Sequence, residues 1–253
     1  MWHISDLKKR AKDVLRKSYW KAFLVSIIIV FFGSNSGGNL NFSWIMNRSN
    51  NSNVSNNGDV WNLSGALSSL LVGTFIVIFI LTLLAILALR IFVGYALEVG
   101  GRRYFLQAAQ DDADLNYLGY CFNKDRYKNI ILTMFIKDLY NFLWFLLLII
   151  PGIIKYYAYR MVPYILSDNP NIGVGRAIEL SNKMTKGSKF KMWILDISFI
   201  GWYILGLLAF FIGTIFVLPY VNATNAELYI ELRRIALSKG VCTNKELHIA
   251  EIL

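Results

Sequence analysis

The chain alternates between two textures. Long apolar runs, nearly free of charge, occupy residues 20–32, 67–97, 130–150, 153–166, 192–212 and 213–232, with polar or basic segments between them. Each run is continuous rather than alternating with period two, which predicts helices and not the strands of a membrane barrel. A helix rising about 1.5 Å per residue needs about 20 residues to cross roughly 30 Å of hydrocarbon. The run 67–97 exceeds that length, whereas 20–32 falls short and has to recruit neighbouring residues. The expected fold class is all-α, a polytopic membrane helical bundle of six transmembrane helices forming a single membrane domain over residues 1–253.

The segments between the runs have patterns of their own. In residues 1–18, Ile4, Leu7, Ala11, Val14 and Leu15 recur three and four apart among Lys8, Lys9, Arg10, Lys12, Arg16 and Lys17. This is the pattern of a basic amphipathic helix at a membrane interface, its apolar stripe turned to the bilayer. No small-residue cleavage site follows Phe31-Phe32-Gly33, so the segment is expected to be retained rather than removed as a signal peptide. Residues 34–64 are rich in Asn, Ser and Gly, with Trp44 and Trp61 near their ends, which is loop composition with aromatic anchors. Pro151-Gly152 is read as the breaker of a hairpin, and Ser167-Asp168-Asn169-Pro170 as the cap of a second amphipathic helix ending near Met184. Residues 233–253 form a polar tail.

Composition sharpens this picture. With 56% hydrophobic against 17% charged residues and a mean hydropathy of +0.46, the chain is too apolar for a water-soluble protein of 253 residues. The net charge of +10 is gathered beside the apolar runs, where anionic lipid headgroups are nearer partners than nucleic acid. Seven Lys and Arg lie in the N-terminal segment, five between Arg102 and Lys128, five between Arg176 and Lys191 and four from Arg233 onward. The intervening loops on the other side hold only Arg48. This asymmetry predicts both termini on the cytoplasmic side, with residues 34–64 outside. Cys121 and Cys242 have no zinc or redox spacing, and His3 and His248 sit at opposite ends, so neither a metal, a cofactor nor a catalytic triad is expected.

One local pattern recurs three times. Tyr19-Trp20-Lys21-Ala22-Phe23-Leu24-Val25-Ser26, Arg126-Tyr127-Lys128-Asn129-Ile130-Ile131-Leu132-Thr133 and Lys189-Phe190-Lys191-Met192-Trp193-Ile194-Leu195-Asp196 each place an aromatic and a lysine before four mostly apolar residues and a polar one. The pairs Trp20 and Lys21, Tyr127 and Lys128, and Phe190 and Lys191 have the chemistry of interface anchors, the ring among headgroups and the ammonium reaching phosphates. A second echo is Tyr95-x8-Tyr104 against Tyr220-x8-Tyr229. Read as repeats, these give three tandem units, each an interfacial helix followed by a transmembrane hairpin, parallel rather than inverted. The competing reading is that any span starting on the cytoplasmic side tends to begin with an aromatic and a lysine.

Leu7-Lys8-Lys9-Arg10-Ala11-Lys12, the run Tyr19 to Ser26, Leu148-Ile149-Ile150-Pro151-Gly152-Ile153-Ile154-Lys155-Tyr156, Ser167-Asp168-Asn169-Pro170, Met184-Thr185-Lys186-Gly187 and Leu195-Asp196-Ile197-Ser198-Phe199-Ile200-Gly201-Trp202 together carry a family likeness. The chain resembles the bacterial integral-membrane proteins of domain-of-unknown-function family 975. The resemblance extends over nearly the whole chain, and the Asn/Ser-rich loop departs from it as an insertion. It implies a multi-pass protein of the bacterial plasma membrane and brings no activity or functional residues with it.

Charge inside a span is the usual pointer to function, because inserting it costs about 2.5 to 3.5 kcal/mol. Arg90, Lys137, Asp138 and Asp196 are the candidates, read either as pairs that lock helices or as the lining of a polar cavity open to the cytoplasm. Lys155 and Arg160 snorkel or reach an opposing helix. Three classes of function follow. The first is a non-catalytic membrane scaffold or accessory protein that contacts anionic lipid and has room for a protein partner or a second copy. The second is a small transporter or lipid-handling protein, and the third an intramembrane enzyme built on Asp138 and Asp196, which lie in no recognised catalytic motif.

Overall fold

The computed structural model describes residues 2–32, 61–208 and 212–248. Among them all regular structure is helical. The chain divides into two compact units, one of Gly37–Leu89 and the other of Met1–Ser36 with Arg90–Leu253.

In the smaller unit the described element is α2 (Trp61–Leu89). Its side chains from Leu71 to Leu89 are exposed on every face, among them Leu71, Phe75, Ile78, Leu81 and Ile86. A stretch that is apolar on every face suits hydrocarbon rather than water. Of the loop expected at 34–64, residues 34–60 lie outside the described residues, and 61–64 already belong to α2.

The larger unit begins with α1 (Ile4–Phe32), which joins the amphipathic segment and the first apolar run into one helix, kinked at Ser18 (φ −143°, ψ 31°). Its stripe is not turned to lipid. Leu7, Ala11 and Leu15 are buried in the protein core, where α1 packs along α3 (Tyr95–Ala108) and α10 (Ile212–Ser238). The same three- and four-residue spacing serves a protein groove as well as a bilayer, and only the presence of a partner helix decides between them. A π-helical turn, Arg90–Gly94, precedes α3, and Gly94 lies so close to α1 that a Cβ there would fall 1.7 Å from the Phe32 carbonyl oxygen.

Asn123 caps α4 (Lys124–Leu147) by accepting a hydrogen bond from the Asp125 amide. The helix breaks at Leu148, which is extended (φ −161°, ψ 144°), and α5 (Ile149–Tyr159) starts at once. The expected turn at Pro151-Gly152 is thus displaced by three residues. Proline is tolerated in a first helical turn because its missing amide would have had no partner there. Gly152 instead allows the return helix to close, since a Cβ on it would meet the Phe145 ring at 2.6 Å.

The run 153–166 is not one helix either. It divides after Tyr159, and α6 (Val162–Asp168) restarts with Pro163 in its first turn. The expected cap at 167–170 is the end of α6, while α7 (Val174–Thr185) starts after Gly173, whose φ of 86° only glycine adopts without strain. The run 192–212 likewise divides at Ser198 and Phe199 into α8 (Lys189–Ile197) and α9 (Ile200–Leu208).

Helix α10 is the spine of this unit. Val221, Asn225, Ala226, Leu228, Tyr229 and Leu232 are all buried on it, and it packs against α1, α3, α7 and α9. Beyond its end the chain folds back, with Cys242 and Leu247 buried and the Glu246 carbonyl accepting from Asn169 Nδ2 at 2.8 Å. The expected polar tail is therefore a docked segment over its described part. Among the described residues, three helices are long and apolar enough to cross a membrane: Leu71–Ala108, Lys124–Leu147 and Lys189–Leu208. Most exposed large apolar side chains belong to 20–32, 71–92, 132–154 and 190–216, whereas α3, α6, α7 and the second half of α10 supply much of the packed core.

Candidate functional site

A polar seam runs through the apolar interior of the larger unit. Arg160, at the end of α5, is its most tightly held member. Its guanidinium donates to both carboxylate oxygens of Asp196 on α8, each at 2.8 Å, and to Asn225 Oδ1 on α10 at 2.9 Å. The Tyr157 hydroxyl donates to the same carboxylate at 2.8 Å. A planar fork matched to a carboxylate gives the strongest kind of side-chain pair, and here it ties three helices together.

Arg102 on α3 forms a second node. It donates to Asn222 Oδ1 at 2.8 Å and to the Tyr164 hydroxyl at 3.4 Å, and lies 3.7 Å from the fully buried Glu98. Asn222 in turn donates to Ser26 Oγ on α1 at 3.0 Å. Tyr164 stacks on Tyr229, and the Tyr229 hydroxyl and Arg233 both donate to Asp168, at 2.7 and 2.9 Å. Charges this far from water persist only when paired and hydrogen-bonded, and each of these has a partner from another helix or from one turn away.

The sequence candidates are distributed unevenly over this seam. Lys137 is buried, 4% exposed, and its ammonium lies 3.0 Å from the neighbouring Asp138. Glu98 and Tyr95 on α3 complete that cluster. Asp196 is the carboxylate held by Arg160. Asp138 and Asp196 are therefore held by different cations, so the structure does not join them as a pair. Arg90 is a correction: it is exposed on the π-helical turn and not a buried charge. A long side chain near a helix irregularity can leave the interior, which an apolar run in a sequence does not reveal.

The repeated motif has a common structural setting. All three copies lie in helices, just past the kink of α1 and in the first turns of α4 and α8. Trp20 is 70% and Phe190 69% exposed, Tyr127 and Lys191 are half-buried, and Lys21 and Lys128 are exposed. The polar residue ending each copy turns inward instead: Ser26 and Thr133 are buried, and Asp196 meets Arg160. Lys21 donates to the Ala113 carbonyl at 2.9 Å and Tyr127 to the Phe92 carbonyl at 2.6 Å, so these anchors also fasten the fold.

Sequence reasoning passed over Glu98, Arg102, Asn222 and Asn225. The available signals were the spacing of Glu98 and Arg102, one helical turn apart, and two asparagines three apart following an apolar run. Among the described residues no group of His, Cys, Asp and Glu is arranged to hold a metal ion. The seam can brace helices: Arg160 and Arg233 are paired with carboxylates, and Arg102 is held by Asn222 and Tyr164 beside Glu98.

Residues 133–236 match the model of a family described as a protein of unknown function, DUF975, the family that the sequence motifs resemble. No curated protein and no solved structure matches the chain.

Proposed function

We propose that this DUF975-like chain is a six-span protein of the bacterial plasma membrane, with both termini cytoplasmic, acting as a non-catalytic scaffold or accessory protein whose basic face contacts anionic lipid. The observation that carries the reading is the Arg160 node. A guanidinium that gives three of its five N–H groups to Asp196 and Asn225 holds α5, α8 and α10 together, which is the chemistry of a brace. Six spans are supported by six helical passages, α1, α2, α4, α5 with α6, α8 with α9, and α10, taken with the one-sided distribution of Lys and Arg.

The test is a flux measurement on the full chain reconstituted into sealed vesicles holding a pH-sensitive dye. A brace leaves the proton and ion leak at the level of protein-free vesicles. The runner-up, a small transporter with a polar path toward the cytoplasm, draws on the ionisable cluster of Glu98, Lys137 and Asp138 between α3 and α4. A leak above background that Asp138→Asn abolishes would replace the scaffold reading with that one.

A further inference from the structure

Two lysines on α1 stand over adjoining aromatic rings. The Lys8 ammonium donates to the Ser198 carbonyl at 3.1 Å and lies 4.3 Å above the Phe199 ring, at the break between α8 and α9. Lys12, one turn on, stands 5.8 Å from the Tyr220 ring of α10. Those rings touch edge to face with centroids 5.4 Å apart, so the two ammonium groups are neighbours over one aromatic floor. Among the described residues neither ammonium has a carboxylate within ion-pair distance.

Two like charges held together with no counter-charge favour an anion from outside. The Lys8 pKa is accordingly held below the ordinary lysine range, first by burial and then by Lys12, and a bound anion would relieve both. The surface next to the pair narrows the choice of anion. Trp202 packs edge to face on Tyr220, Phe23 stacks on Phe216 at 5.0 Å and meets Trp20 edge to face, and Trp20, Trp202 and Phe216 remain exposed. A free phosphate would use the lysines and leave this apolar strip bare, whereas a phospholipid covers both, its phosphate at the ammonium groups and its acyl chains along the rings.

We propose that the surface where α1 meets the α8–α9 break and α10, headed by Lys8 and Lys12 and floored by Phe199 and Tyr220, is a seat for one anionic phospholipid. The assignment deepens the anionic-lipid contact proposed above and rests on it. It differs in naming one bound molecule and two lysines rather than a diffuse belt.

The test uses the full chain in detergent, titrated with phosphatidylglycerol, phosphatidylcholine or inorganic phosphate and followed by native mass spectrometry. The seat predicts one phosphatidylglycerol retained in preference to phosphatidylcholine, and no retained phosphate. Lys8→Gln with Lys12→Gln weakens that retention roughly tenfold or more. Lys9→Gln with Lys17→Gln, which removes the same charge from other faces of the helix, leaves it unchanged, and Lys8→Arg with Lys12→Arg restores it. If the wild-type chain prefers phosphatidylglycerol but both Gln pairs weaken it equally, or neither does, the seat is wrong and the diffuse contact stands. Equal retention of the two lipids overturns both, and phosphate bound as firmly as phosphatidylglycerol overturns the lipid assignment.

Discussion

Asp196 and Arg160 show how one pair decides the behaviour of a region. Removing the carboxylate alone leaves a guanidinium, 3% exposed, facing apolar surroundings without its counter-charge. Replacing both by apolar residues removes the problem together with the bond. Asp196→Leu is expected to cost about 3 to 5 kcal/mol, and Arg160→Met with Asp196→Leu to recover most of that loss. Melting temperatures of the three proteins in one detergent check it, and equal losses in the single and double variants would remove the bracing argument. Cys121 gives a second prediction at this scale. It is fully buried, and burial, only partly offset by Arg103 and Arg126, pushes its thiol up to about 12. A maleimide at neutral pH should leave Cys121 unmodified in the folded protein and react with it after denaturation, as peptide mass mapping would read out.

At the scale of elements, one ion pair helps to fasten the docked segment after α10. Arg176 on α7 donates to Glu246 from Nε at 2.5 Å and to the Val241 carbonyl at 2.9 Å. The bond to Arg176 holds the Glu246 carboxyl below the ordinary glutamate range. A carboxylate with a depressed folded pKa contributes stability that is complete above its unfolded value and lost as the pH falls through the folded one. Residues 241–248 are therefore expected to stay protected at pH 7 and to lose protection, measured against the intrinsic exchange rate at each pH, as the pH drops below about 4.5. Glu246→Gln should produce the loosened state at pH 7 by removing about 1 kcal/mol, since the pair is only partly shielded from solvent. Hydrogen exchange of this segment at the two pH values measures both effects.

For the whole molecule, the prediction is topological. Six spans with cytoplasmic termini make a cysteine introduced at Asn53 reachable by an impermeant maleimide from outside intact cells, and one at Ser238 unreachable until the membrane is opened. Labelling of Ser238→Cys in intact cells would invert or break the topology. The proposal rests on the basic residues, because moving a cation across a bilayer costs more than leaving it where synthesis placed it.

The helical class and the apolar character of this chain were legible in its sequence, because continuous runs of Leu, Ile and Phe carry their own secondary structure and solvent preference. Candidate charges stand out in those runs by their rarity; of them, Lys137 is buried and Asp196 is held by Arg160. Their partners were not legible. Arg160 finds Asp196 across 36 residues, and Arg102 finds Asn222 across 120, distances at which nothing local signals an encounter. The helix breaks at Leu148, Arg160 and Ser198, the exposure of Arg90 and the burial of the Leu7, Ala11 and Leu15 stripe were likewise decided in tertiary structure. A periodic apolar face states that something must cover it, and only the packed neighbours determine whether that cover is lipid or protein.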